Sequence, residues 1–567
     1  MGRAQAPPAG RAELIGSGLE SVSGWWGGGG RAGWLPDGDL GGGDPWTLAG
    51  LVAGAWVIEE AGRAPSGMSP PGVAGAQSPL VWFDSVLVRT GEGGAWEGFD
   101  AGLAVARAGE TLDRRPGGGW RPRTDVALVN GSNGLRDNSV SLSRRDTLGA
   151  LRIEAASGER AGGGLGAGGV TSTGRDLYGI AGAMERGAHR WEGSFAHRRS
   201  NASLVGGESQ DARGEAGSAG YRHAGDRWRI AAAVDRGYDR HDSRGGPWLE
   251  RRRLADATAA ALVIERAGER DRWGARGSWR ETGVTPEAGV SARSRARALW
   301  GAMRWQGPVG EGELELAVGA GHHSALGRTP VAPSLAWRFH GRPWEGRVTI
   351  ERLTTPVWAD LAPGERPFLQ DTWAGGLELG AAVASGGRAR IGFLAGHTVS
   401  RAVLARIPLE AVALRSGYRV DPGPYDFGLL VAEARWRTGR WGAAIEGFIL
   451  AHDASALQPQ VDPSRGGRVL AELGFKLFQG DLAVRPRLEA WAVGPRESEA
   501  TPSHPLPAYV SMRAALELTL ADATLLIDGR NLADRRATRT WVDTITGIEA
   551  SGPGRELRVT LIWRLWD

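Results

Sequence analysis

The stretch "ELRVTLIWRLWD", residues 556–567, sets Leu557, Val559, Leu561, Trp563 and Leu565 on one parity. Arg558, Thr560 and Arg564 hold most of the other. Side chains on a β-strand point alternately to opposite faces, so this is a strand with one apolar and one polar face. What the apolar face touches, protein or lipid, decides the fold.

The same alternation recurs upstream from about residue 150. "ALRIEAA" (150–156), "WRIAAAVDR" (228–236), "WGARGSW" (273–279) and "ELELAVGA" (313–320) all carry it. So do "LAWRF" (335–339), "ARIGFLA" (389–395), "WGAAIEGFI" (441–449) and "VLAELGFKL" (469–477). There are on the order of 20 such segments, each about 8–11 residues long, separated by Gly, Pro, Asp and Ser clusters that read as turns. Charge sits on the polar parity in strand after strand, so one side of the sheet must meet water. Tryptophans fall at strand ends on the apolar parity, at Trp191, Trp228, Trp273, Trp305, Trp373 and Trp441. An aromatic girdle anchors there in lipid headgroups. An open sheet of this size would leave unpaired edges, which lipid does not tolerate, so the strands must close. The reading is all-β: a large antiparallel transmembrane β-barrel. Soluble propellers, solenoids and tandem sandwiches need a fixed-length repeat or bulkier cores, and neither is visible.

Composition agrees. The 567 residues include 90 glycines and 25 tryptophans but only 10 phenylalanines and 6 tyrosines. No G-X-Y period accompanies the glycine, which excludes collagen. A net charge of +4, with dispersed basic residues, gives no nucleic-acid footprint. With no cysteine, disulfide scaffolds and thiolate metal sites are excluded. The longest apolar run, "WTLAGLVAGAWVI" (46–58), is too short for a spanning helix and meets Glu59 and Glu60. That run lies too far from the start for a conventional signal peptide, and "MGRAQAPPAG" carries none, so the expectation is an upstream start or a trimmed precursor.

The segment from Pro507 to Trp563 resembles the end of TonB-dependent outer-membrane receptors. Pro507 and Tyr509 open one strand, and Asn531, Leu532, Asp534 and Arg536 supply most of an "NLxDxxY" turn. Pro553, Gly554 and Arg555 introduce the last strand. Ala537 stands where the family has an aromatic, and Trp566 would serve as the terminal aromatic. The residues themselves read as turn-formers: Asn and Asp cap a tight turn and Pro-Gly fixes the entry to the strand.

The resemblance implies a barrel of about 22 strands over 146–567 and an N-terminal plug over 1–145. "PWTLAGLVAGAWVIEEAGR" (45–63) is similar to the plug's short helix and following strand. "PLVWFDSVLV" (79–88) is similar to a plug strand, with Asp84 in the aspartate position and Ser85 replacing glycine. A TonB box and a "GGVINI"-type plug ending are not found. The implied function is import of a scarce solute such as a siderophore, cobalamin or oligosaccharide across the outer membrane of a Gram-negative envelope. Its implied partners are outer-membrane lipid, the TonB complex and, through the last strand, the barrel-assembly machinery. A passive porin-like channel without TonB coupling is the alternative.

Catalytic and cofactor chemistry finds no support. Gly164, Gly166 and Gly169 fit G-x-G-x-x-G formally, but a turn and strand follow where a dinucleotide site needs a helix. His322 and His323 are adjacent and so face opposite ways. Asp37 and Asp39 lack the remaining ligands of a calcium loop. No nucleophile elbow or zincin helix is present. The expectation is a non-enzyme without a cofactor or metal. The polar parity instead places Arg229, Arg276, Arg338, Arg388, Arg390, Glu313, Glu315, Glu446 and Glu472 towards the lumen. Mixed charges there read first as a structural lattice and second as a guide for solute.

Overall fold

The computed structural model describes residues 11–13, 56–60, 83–90, 94–100 and 104–110. It also describes most of 123–566 apart from several connections between strands. Twenty-two antiparallel strands form one closed barrel in which each strand pairs with its neighbours in the chain. Closure joins the last barrel strand, Glu556–Trp566, to the first, Arg123–Gly131, in a register that sets Leu561 opposite Leu128. Among the described residues no helix is long and apolar enough to cross a membrane, and the crossing is made by strands.

The C-terminal strand settles what its apolar parity touches. Leu557, Val559, Leu561 and Trp563 are exposed on the outside of the barrel, while Arg558, Thr560 and Ile562 are buried on the inside. The same split recurs around the wall: Leu316 and Val318 face out beside Ala317, which is buried. Such an apolar outer band is compatible with lipid and unfavourable in water.

The two barrel ends differ. At one end, two residues separate Arg186 from His189 and Val309 from Gly312. Gly187 and Gly310 take φ of +61° and +60° in these hairpins, the left-handed conformation that a two-residue turn of matching twist demands. At the other end connections are long, as from Val399 to Tyr425 and from Arg530 to Glu556. Outer-membrane barrels turn short on the periplasmic side and long outside. Trp191, Trp228, Trp273, Trp305 and Trp441 all lie within a few residues of the short turns, whereas Trp373 lies towards the long connections.

The barrel begins earlier than the expected boundary at residue 146. Arg123–Gly131 and Arg136–Arg145 are its first two strands. Their outward apolar faces are short. Leu128 serves the first and Val140 and Leu142 the second, alternating in the latter with Ser139 and Ser141, which are buried. Too few apolar residues alternate for the period to stand out.

Ahead of the barrel, Arg11–Glu13, Phe83–Thr90, Ala104–Glu110 and Trp56–Glu60 form a separate four-stranded sheet in that order. The 56–60 and 104–110 strands pair in parallel. Both segments likened to plug elements therefore contain a strand, at 56–60 and 83–90. The short helix expected before the first lies outside the described residues.

Candidate functional site in the barrel lumen

The inward parity carries the charged residues singled out above. Arg276 alternates with outward Trp273, and Glu313 and Glu315 with outward Leu316. Arg338 alternates with Trp337, Arg388 and Arg390 with Ile391, and Glu472 with Leu473. Arg229 shares the inner parity of buried Asp235, close to a short turn, and stands opposite Glu265 in register. The side chain of Glu446 lies outside the described residues; its backbone stands opposite Glu433 and Leu470.

Most of these groups are tied to neighbours. Glu315 lies 4.0 Å from Arg338 and 3.8 Å from Arg304, and Arg304 also meets Glu265. Arg388 bonds Glu345, Arg390 donates to Glu378 at 3.1 Å, and Arg487 donates to Glu472 at 2.6 Å. Cross-strand pairs of this kind brace the wall between adjacent strands.

A denser strip, not singled out from sequence, runs over the strands Arg465–Leu477, Leu482–Val493, Tyr509–Leu520 and Ala523–Arg530. Arg468 and Glu489 pair at 2.7 Å with side chains only 1% and 4% exposed. Arg513 grips Asp528 through two bonds of 2.6 and 2.8 Å, and Arg530 adds a third at 2.8 Å. Arg485 and Arg487 each lie 3.8 Å from Glu517. The signal was present in "AVRPRLEAW", where Arg485, Arg487 and Glu489 share one parity. What the linear sequence lacked was the register that supplies each partner.

The second feature is a segment seated on the opposite wall. Gly94–Glu97 is one helical turn, continued by a 3-10 turn over Gly98–Asp100. Trp96 and Phe99 pack with Ala298, Trp300, Ala302 and Ala332 in one buried apolar cluster. Trp300 donates its indole N–H to the Ala95 carbonyl at 3.0 Å. The Arg304 guanidinium lies 4.3 Å from the centre of the Trp96 ring, a cation–π contact. Phe99 meets Trp300 and His323 edge-on at 5.1 and 5.6 Å. His323 is buried at 1% exposure while His322 faces outward, so the adjacent pair does divide between the two faces.

Glycine makes this close approach possible. A Cβ on Gly319 would sit 2.1 Å from the Ala95 oxygen, and one on Gly274 would sit 2.9 Å from the Trp96 ring. The wall is therefore shaped for this segment.

Elsewhere the inner wall has a shallow dent, with room for about one water molecule. Arg347, Thr349 and Glu378 line it together with Leu394, Leu429 and Val431. Among the described residues no group of three or more His, Asp or Glu side chains is placed to hold a metal ion. Gly164, Gly166, Gly169, Asp37 and Asp39 lie outside the described residues.

The turn residues behind the family resemblance also have visible work. Asn531 and Asp534 take φ of +46° and +50°, which Asn and Asp tolerate better than most residues. The Asp534 carboxylate accepts the Arg555 backbone N–H at 2.8 Å, pinning the entry to the closing strand.

No protein-family model matches this sequence, and no curated protein matches it. Solved structures do. The FrpB iron transporter of Neisseria meningitidis superposes with a TM-score of 0.75 at 11% identity, covering 99% of this chain and 100% of that one. The copper transporter OprC gives 0.76 at 12% identity over 96% of both chains. The ferric yersiniabactin uptake receptor FyuA of Yersinia pestis gives 0.72 at 13% identity, over 94% of this chain and 93% of that one. The described residues thus have the fold of these transporters, including the 22-strand barrel that the family resemblance implied.

Proposed function

We propose that this chain is a TonB-dependent-type receptor of the outer membrane that imports a scarce solute. Its N-terminal region, up to the barrel strand at residue 123, acts as the plug. The observation that carries the reading is the segment 94–100 seated on the inner wall through Trp96, Phe99 and Trp300. A porin-like tube has no need of an N-terminal element locked inside it. The likeness over nearly the whole chain to an iron transporter, a copper transporter and a ferric-siderophore receptor favours a metal-bearing cargo. The cargo is substrate here, and the protein's own part is binding and passage, with no catalytic step.

The charged lattice on the inner wall, as in the Arg390–Glu378 pair, would keep the barrel rigid while the plug rearranges. The closing strand, ending at Trp566, would present the signal to the barrel-assembly machinery.

Two measurements test this. The purified protein should bind the periplasmic domain of TonB in a pull-down, and planar bilayers should record no steady conductance from it. Steady conductance without TonB binding would favour the passive channel instead.

A further inference from the structure

The apolar band on the outer wall is not equally tall all round. On Arg465–Leu477 the outward parity is apolar at six successive positions, from Gly467 to Leu477, and on Tyr509–Leu520 again at six, from Val510 to Leu520. Such a run, at about 3.3 Å per residue on a strand tilted by about 40°, spans about 25 Å, the usual height of a barrel's lipid-facing belt. On the opposite side of the barrel the band is much lower. His189–Leu204 has three apolar positions, Trp191 to Phe195, before His197. Ser209–Ala224 has three, Tyr221 to Gly217, before Glu215, and Trp228–Arg244 has four, Trp228 to Val234, before Arg236. These runs span only about 10–15 Å. Tilting the barrel raises or lowers a sector but lengthens none, and every ångström of mismatch against hydrocarbon costs free energy.

The groups that cut the low sector short form a pattern of their own. His197, Glu215, Tyr238 and Asp256 stand in one register row across four adjacent strands. Arg236 lies one outward step below that row, opposite Gly217 and diagonal to Glu215. Glu215 and Arg236 are both exposed. Glu215 meets His197 at 3.4 Å, whereas Arg236 makes no ion pair among the described residues. Between these charges and the tryptophan girdle, the two central strands carry small outward residues, Gly217, Ala219 and Ala232. Phe195 and Leu262 stand out on either side of them, each nearly half exposed. Small residues let two walls approach closely in a membrane.

We propose that this sector is where a second copy of the chain docks, making a homodimer in the outer membrane. The two-fold axis runs along the membrane normal between the strands Ser209–Ala224 and Trp228–Arg244. An isologous contact there presents each of these strands to the other one of the second copy. Glu215 of each copy then meets Arg236 of the other, and His197 of each meets Asp256 of the other. The signs of the charges are complementary to themselves under that rotation, which is what selects a second copy as the occupant. Protein then covers the level at which hydrocarbon would otherwise meet unpaired charge. The proposal needs only that the outer wall faces lipid; it stands apart from which solute is carried.

The chain has no cysteine, so single cysteines report contact without background. Ala219→Cys lies beside the axis and Ala471→Cys on the tall sector. Each full-length variant is treated with a short bis-maleimide in outer-membrane vesicles, and gels measure the cross-linked pairs. The expected result is a cross-linked dimer from Ala219→Cys alone. Adding Glu215→Arg or Arg236→Glu should lower its yield about tenfold, because a two-fold interface meets each change twice, and both together should restore it. Heat-modifiable migration reports that each variant is folded. Should Ala219→Cys not fold, native mass spectrometry of the unaltered chain released from the vesicles decides, with twice the chain mass expected. Equal cross-linking at the two positions, indifference to the single charge reversals, no recovery in the double reversal, or a single-chain mass overturns the proposal. The low sector would then belong to a monomer that thins the bilayer beside Trp191 and Trp228. Failure of TonB binding would leave the proposal untouched.

Discussion

Arg468 and Leu561 show how one parity rule produces two different chemistries. Arg468 is buried inside the barrel against Glu489, so removing its guanidinium takes a partner at 2.7 Å from a buried carboxylate. Arg468→Ala is expected to cost about 3–5 kcal/mol, the penalty for breaking a buried ion pair, read as a lower melting temperature in heat-modifiability gels. Leu561 faces lipid in the middle of the last strand, opposite Leu128 and Leu525. Leu561→Arg is expected to destabilise the inserted barrel by about 2–4 kcal/mol, measured by denaturant titration in bilayers. Arg558 is already an arginine on that strand and is stable there because it faces inward, where Glu556 lies 2.9 Å away. Parity alone separates the two cases, and parity is what the sequence displays.

At the scale of elements, the segment 94–100 and its seat behave as one unit. Gly319→Ala would push a methyl against the Ala95 carbonyl and the Trp300 ring, a misfit of about 1–3 kcal/mol. The expected outcome is a segment that leaves its seat while the barrel stays folded. Limited proteolysis should then cut near residue 97, and bilayer recordings should show conductance absent from the unaltered protein. Retained protection from protease would count against a fitted seat. The turn at Asp534 makes a milder prediction. Asp534→Ala removes the bond to the Arg555 N–H and should cost about 1 kcal/mol, slowing closure of the last strand in refolding assays.

The elements also show where sequence reading stops short. The long alternations after residue 150 are plain because each outward face carries several apolar residues in a row of alternate positions. The strands Arg123–Gly131 and Arg136–Arg145 are legible only once closure is known, since serine fills much of the second one's inner face. The seated segment gave no signal at all. Its aromatic partners lie on strands far along the chain, and the matching glycines read as ordinary strand residues.

At the scale of the whole molecule, closure is the property on which everything else rests. Ser132 donates its backbone N–H to the Leu557 carbonyl at 2.8 Å, joining residues at opposite ends of the barrel sequence. Removing residues 123–131 should leave the 556–566 strand with an open edge in lipid, which is prohibitive. The shortened chain is expected to lose heat-modifiable migration entirely and to be degraded in cells. A stable, inserted barrel without that strand would contradict the closure described here.

By itself the sequence determined that this chain is a lipid-facing, antiparallel β-structure, because the two faces of a strand are written in adjacent residues. It also pointed to the C-terminal turn, since Asn531 and Asp534 act within their own loop. Only the tertiary structure decided which charges pair, where the barrel starts and what occupies its inner wall. Those outcomes depend on register and closure, which bring Trp300 to Ala95 across 205 residues and Leu557 to Ser132 across 425. No local pattern records contacts at such separations.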